Sequence, residues 1–149
     1  DVYAHDSFAW YDARLKSAYG TMELRPCAQQ PQKDVMALPA LALGLISNLT
    51  ETCRLASRYS TLQARAARLS AIKNGFGATI GDDGTSMLVL AKEMVKTAEV
   101  GLNSIGENKQ YLAPLYHRIA SQKSPADVAA DIFRNGGISR LVESYRLHV

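Results

Sequence analysis

From Leu38 to Asn74 the chain reads LPALALGLISNLTETCRLASRYSTLQARAARLSAIKN, and any fold must first accommodate this stretch. With Leu45 as the first position of a heptad, the seam is Leu45, Asn48, Thr52, Leu55, Tyr59, Leu62, Ala66 and Leu69, and Leu41 extends it backwards. Such three-and-four spacing lies along one side of a helix. Unbroken, the helix would run about 55 Å at 1.5 Å per residue. That is long for a domain of 149 residues, so the spacing predicts either one long helix or two end to end, with a break near Asn48–Thr52 or Ser57–Thr61. Pro39 suits a first turn, and Asp34 offers a cap to a short lead-in turn. Asn74-Gly75 is a stop signal, because glycine tolerates the left-handed conformation that follows a last turn.

The same stretch carries the clearest charge pattern. Arg54, Arg58, Arg65 and Arg68 fall within roughly 80° on a helical wheel, with Lys73 just beyond, and no acid occurs between Arg54 and Gly81. Guanidinium groups in line can grip carboxylates bidentately. The pattern therefore nominates Arg54, Arg58, Arg65, Arg68 and Lys73 as a face for an acidic protein partner. The plainer reading is a solvated face, or pairing with acids of the same chain such as Glu51, Glu93 or Glu99. The stripe has no aromatic platforms for stacking bases, and a net charge of +3 is modest, which counts against nucleic acid.

The remaining segments read as helices joined by short loops. A first helix is expected from about Ser7 to Tyr19, with Phe8, Tyr11, Leu15 and Tyr19 on its apolar face. The glycine-rich GFGATIGDDGT, Gly75 to Thr85, reads as a flexible crossing. Its spacing matches neither a dinucleotide fingerprint nor a Walker loop. Thr85 or Ser86 then caps the best amphipathic helix, whose face is Met87, Leu88, Ala91, Met94, Val95, Ala98, Leu102 and Ile105, closed by Gly106. A shorter helix over about Lys109–Gln122 has Pro114 in its first turn. Ser124-Pro125-Ala126-Asp127 is a strong restart, and Asn135-Gly136-Gly137 separates a last helix from Ser139 to about Leu147. Nothing alternates as strands do. The fold expected is all-α: one domain over 1–149, an irregular bundle of five to six helices around the 38–74 segment.

Two cysteines, Cys27 and Cys53, are present, and the sequence begins at Asp1. A removed signal peptide and a Cys27–Cys53 disulfide are the expectation; closing a loop of that length stabilises by roughly 3.5 kcal/mol in the chain-entropy model. Localisation in the periplasm or outside the cell follows from that bridge, and two buried thiols in the cytoplasm are the alternative. The longest stretch without charge, Val35 to Thr50, is too short and too interrupted to span a membrane. The histidines, His5, His117 and His148, have no metal-ligand spacing, and no nucleophile elbow occurs. No catalytic residue, metal or cofactor is indicated. These features favour a non-enzymatic protein-binding module of inhibitor, immunity or secretion-accessory type. One alternative is a carrier of an apolar ligand, with a cavity between the Leu41–Leu49 and Met87–Ile105 faces. Another is a small helical enzyme using Glu51, Glu99 or His117.

Overall fold

The computed structural model describes residues 13–16, 21–24 and 34–146. The chain divides into two compact units, Asp1–Gln30 and Pro31–Val149. In the first, strand β1 (Ala13–Lys16) pairs antiparallel with β2 (Thr21–Leu24), Leu15 standing opposite Met22. The expected helix from Ser7 to Tyr19 is thus corrected at its centre, and its two ends lie outside the described residues. Apolar spacing there was compatible with a helix, but a partner strand only five residues on settles the backbone as a ladder, which local periodicity does not reveal.

The second unit is helical, and the all-α expectation holds with six α-helices among the described residues. The 38–74 stretch breaks at both of the expected places, into α1 (Ala37–Ser47), α2 (Leu49–Ala56) and α3 (Thr61–Asn74). At the first break Asn48 leaves helical geometry, and its side-chain amide donates to the Thr97 carbonyl at 3.3 Å. Thr52 donates its hydroxyl to the Leu45 carbonyl at 2.8 Å. The two polar residues on the seam are therefore partnered: Asn48 sits at the break, and Thr52 reaches back across it from within α2. At the second, Ser60 starts α3 with a capping box: its hydroxyl accepts from the Gln63 amide, and the Gln63 side chain accepts from the Ser60 amide. Gly75, at φ +53°, ends α3 as the Asn74-Gly75 pair predicted.

The glycine-rich crossing is more ordered than its composition suggests. After a 3-10 turn at Gly75–Gly77, β3 (Thr79–Ile80) and β4 (Thr85–Ser86) form a small hairpin. Gly81 and Gly84 supply the positive φ angles of its tip. Asp83 accepts from the Thr85 amide and hydroxyl at 3.2 and 2.8 Å, which fixes the turn. Ala78 and Ile80 are buried beneath it.

The core lies where α4 (Met87–Ser104) meets α1, a 3-10 turn (Lys109–Leu112) and α5 (Ala113–Ser121). Ser86 caps α4 through the Leu88 amide, and Gly106 at φ +72° closes it. Ala40, Val95, Ala98, Leu102, Leu112 and Ile119 are the buried cluster, so the apolar face expected for this helix is largely correct. Ile105 is the exception: it falls just past the last turn and is exposed.

What sequence spacing missed is how close α1 and α4 come. A Cβ built on Gly101 would lie 1.9 Å from the Gly44 carbonyl oxygen, and one on Gly44 would lie 2.3 Å from the Ala98 oxygen. The two helices touch backbone to backbone, and only glycine fits at either position. The carrier reading is corrected by the same observation, since Leu41–Leu49 and Met87–Ile105 meet at this crossing rather than enclosing a ligand.

The last helix, α6 (Pro125–Ser144), starts with the capping box predicted at Ser124 and Asp127. It runs through a non-helical Gly137 at φ +65°, close to the expected break. No residue of α6 is fully buried, and Phe133, Ile138 and Val142 are exposed. The seam expected along 45–69 also divides: Leu55 is buried, but Leu62 and Leu69 point to solvent, and α3 buries Ala67 instead.

Candidate functional site

The break between α2 and α3 dissolves the single arginine line. Arg54 lies on α2 and Arg58 in the turn after it, whereas Arg65, Arg68 and Lys73 ride on α3. Arg54 clasps Glu51 through two hydrogen bonds, one of them Nε to Oε2 at 2.7 Å. That contact holds the Glu51 carboxyl below its ordinary range. Arg58 donates to Glu93 on α4 at 2.6 Å. Two of the four arginines thus pair with Glu51 and Glu93, acids named for the plainer reading. Pairs this exposed contribute little stability each.

A tighter polar cluster forms around Glu99. Its Oε2 accepts from the Tyr116 hydroxyl at 2.7 Å and from Lys96 at 3.0 Å, and its Oε1 accepts from Lys109 at 3.1 Å. The Tyr116 hydrogen bond, then those of Lys96 and Lys109, bring the carboxyl down to about 2. Burial, followed by the bond to Glu99, raises Tyr116 to about 12. With both groups locked in opposite directions from pH 7, neither is poised to exchange a proton near neutrality. The cluster staples α4 to α5.

Its pH dependence follows from the two signs. The depressed Glu99 stabilises the fold above its ordinary range near 4.5, and that contribution is lost as pH falls towards about 2. The raised Tyr116 stabilises below 10, and its share is lost as pH rises from there to about 12. Glu99→Gln should lose roughly 1–2 kcal/mol at pH 7, discounting for solvent, and much less at pH 2. Urea melts of both proteins at the two pH values read this directly; an equal gap at both would exclude an ionic origin.

A concave feature lies elsewhere in the helical unit, between α5 and the two ends of α6. A pocket of about 590 Å³ is lined there by Asp34, His117, Arg118, Ser121, Lys123 and Tyr145 around an apolar floor that includes Pro114 and Val128. On its wall Arg118 donates to Asp34 at 3.1 Å, with only 19% and 16% of the two side chains exposed. Lys123 at the rim pairs with Asp131 at 2.7 Å. Asp34 therefore binds a guanidinium from 84 residues away rather than capping the lead-in turn, and α1 starts at Met36 without a side-chain cap. None of this was signalled locally; no spacing rule connects Asp34 with Arg118. Of the pocket residues, the sequence marks His117 alone as a candidate catalytic group, whereas it marks Asp34, Pro114 and Pro125 as cap and first-turn signals. His117 does not converge with Glu51 or Glu99, which sit in the arginine pair and the α4–α5 cluster.

Cys53 is exposed on α2 and its thiol is free, while Cys27 lies outside the described residues. Among the described residues no group of three His, Cys, Asp or Glu side chains is placed to hold a metal. No helix among them is long and apolar enough to cross a membrane.

The comparison that decides the family concerns the chain as a whole. Residues 1–144 match the model of glutamate-cysteine ligase family 2 (GCS2), which takes in nearly the entire sequence. The chain belongs to glutamate-cysteine ligase family 2. No curated protein and no solved structure matches it. Membership in GCS2 overturns the expectation of a non-enzymatic inhibitor, immunity or secretion-accessory module, because the family takes its name from an enzyme. It likewise removes the support for describing the chain as a secreted protein-interaction domain. The family match spans both compact units, so it is a property of the hairpin unit and the helical unit alike. Sequence reasoning went astray by treating the lack of a short catalytic motif as a sign of no catalysis. Ligase chemistry can be assembled from residues far apart in the chain, which leaves no compact signature.

Proposed function

We propose that this chain is part of a ligase that joins glutamate to cysteine. The observation that carries the reading is the family match over residues 1–144. Amide formation from a carboxylate and an amine is uphill in water, so a ligase draws on the cleavage of a nucleoside triphosphate. One glutamate carboxylate oxygen leaves with the cleaved phosphate; the cysteine amine takes its place on the carbonyl carbon and gives up a proton. Catalysis of such a step rests on positioning and on stabilising charge as it develops. No described residue is assigned a role in the chemical step. The helical unit supports the reading through a pocket that combines both signs of charge with an apolar floor.

The test is direct. The whole protein, purified from its source at full length, is incubated with L-glutamate, L-cysteine and magnesium ATP. Phosphate release that depends on both amino acids, with a product of the mass of their amide, is the expected result. Phosphate release without either amino acid, or no amide by mass spectrometry, would overturn the reading.

A further inference from the structure

We infer that the outward face of α3 is a docking surface for a membrane that bears anionic lipids. The three most exposed large apolar side chains among the described residues, Leu62, Ile72 and Leu69 at 76%, 71% and 66%, all belong to this one helix. On a helical wheel they fall, together with Arg65, Ala66 and Lys73, within roughly 120°. The helix is inverted: Ala67 is buried and Gln63, Ser70 and Ala71 are half-buried, while the larger apolar residues face water. No acid occurs in α3, or anywhere between Arg54 and Gly81. Among the described residues Arg65 and Lys73 have no ion pair or hydrogen bond through their side chains; Arg68 adds charge to the helix but is engaged within the chain. Anionic headgroups above acyl chains match both halves of this pattern. Leu62, Leu69 and Ile72 enter the acyl boundary, and the long stems of Arg65 and Lys73 carry their charges back up to the phosphates. Other occupants fit less well. A second copy of this face would set cation against cation. Hot spots of protein interfaces centre on large anchors, aromatic above all, seated in pockets, and Thr61–Asn74 contains no aromatic residue. A helix docked in this way lies along the surface and has no need to cross it. The inference concerns where the protein sits rather than what it joins, so it goes beyond the ligase reading and stands apart from it.

Vesicle flotation tests this. The whole protein is mixed with vesicles of phosphatidylcholine alone, or of equal parts phosphatidylcholine and phosphatidylglycerol, and the floated fraction is measured. Affinity for the anionic vesicles should exceed that for the neutral ones at least about tenfold, and should fall as salt is raised. Leu69→Gln with Ile72→Gln removes two apolar anchors, and Arg65→Gln with Lys73→Gln removes the two unpaired cations. Each double variant should weaken binding at least about tenfold. All four positions are exposed and glutamine is a good helix former, so both variants should melt close to the parent. Ile138→Gln, at a comparably exposed apolar position on α6, is the control and should bind as the parent does. Equal affinity for the two kinds of vesicle, no binding to either, or full binding in either folded double variant would overturn the proposal. So would an equal loss in Ile138→Gln, which would mean general stickiness. Light scattering of the protein alone covers the remaining case: a dimer that Leu69→Gln with Ile72→Gln dissociates would assign the face to a second copy instead. Amide formation plays no part in these readouts, so the ligase reading and the membrane reading fail independently.

Discussion

Gly101→Ala should destabilise the helical unit by about 2–4 kcal/mol, although alanine is the better helix former by about 1 kcal/mol. The new methyl would stand 1.9 Å from the Gly44 carbonyl oxygen, and the obstacle is backbone rather than a side chain that can swing away. Relief requires α1 to move off α4, which opens the packing around Ala40 and Ala98 as well. Gly44→Ala should behave alike, since its methyl would meet the Ala98 oxygen at 2.3 Å. Gly77→Ala is the matched control, because nothing lies within 4 Å of its added carbon. In thermal melts the first two should fall by roughly 5–10 °C and the control should barely move. Equal melting temperatures for all three would mean that the two helices do not cross at these glycines.

The second large effect is expected at Leu102 and Leu112, the largest fully buried side chains among the described residues. Truncating either to alanine should remove about 3 kcal/mol, through lost burial and the cavity left behind. Leu62→Ala, at a position 76% exposed, should stay within about 0.5 kcal/mol of the parent. Denaturant midpoints for the three variants decide between the observed core and the one that spacing suggested. If Leu62→Ala were as damaging as Leu102→Ala, α3 would have to face inward along its leucines.

That contrast shows what the sequence could and could not reveal. Signals that act within a few residues were legible: Ser60 aside, the Ser86 cap, the Ser124–Asp127 box, the Asn74-Gly75 stop and Gly106 are all where local chemistry put them. Each depends only on backbone groups one turn away. The apolar face of α4 was legible because one stripe dominates it. Leu62 and Leu69 were misplaced because periodicity finds a stripe without saying what covers it. The strand at Ala13–Lys16 was missed for a related reason, as its partner lies outside the window in which helical spacing is judged. Of the candidate sites, the Arg54–Glu51 and Arg58–Glu93 pairs were foreseeable from the acids available, but the Asp34–Arg118 wall was not. Such contacts between distant residues exist only after the helices have packed. The family assignment was out of reach for single-residue chemistry, because it rests on the pattern of the whole chain.

The shallow seating of α6 has one more implication. A helix that buries no residue completely, and that is bent at Gly137, has little to lose by lifting away from its neighbours. Its opening belongs to the low rungs of the unfolding ladder, far below the global transition that the Gly44–Gly101 crossing resists. Pro125, Val128 and Tyr145, near its two ends, complete the Asp34–Arg118 pocket, so the pocket exists only while α6 is seated. A molecule bound there would draw α6 down by mass action, and order in this helix would gauge occupancy.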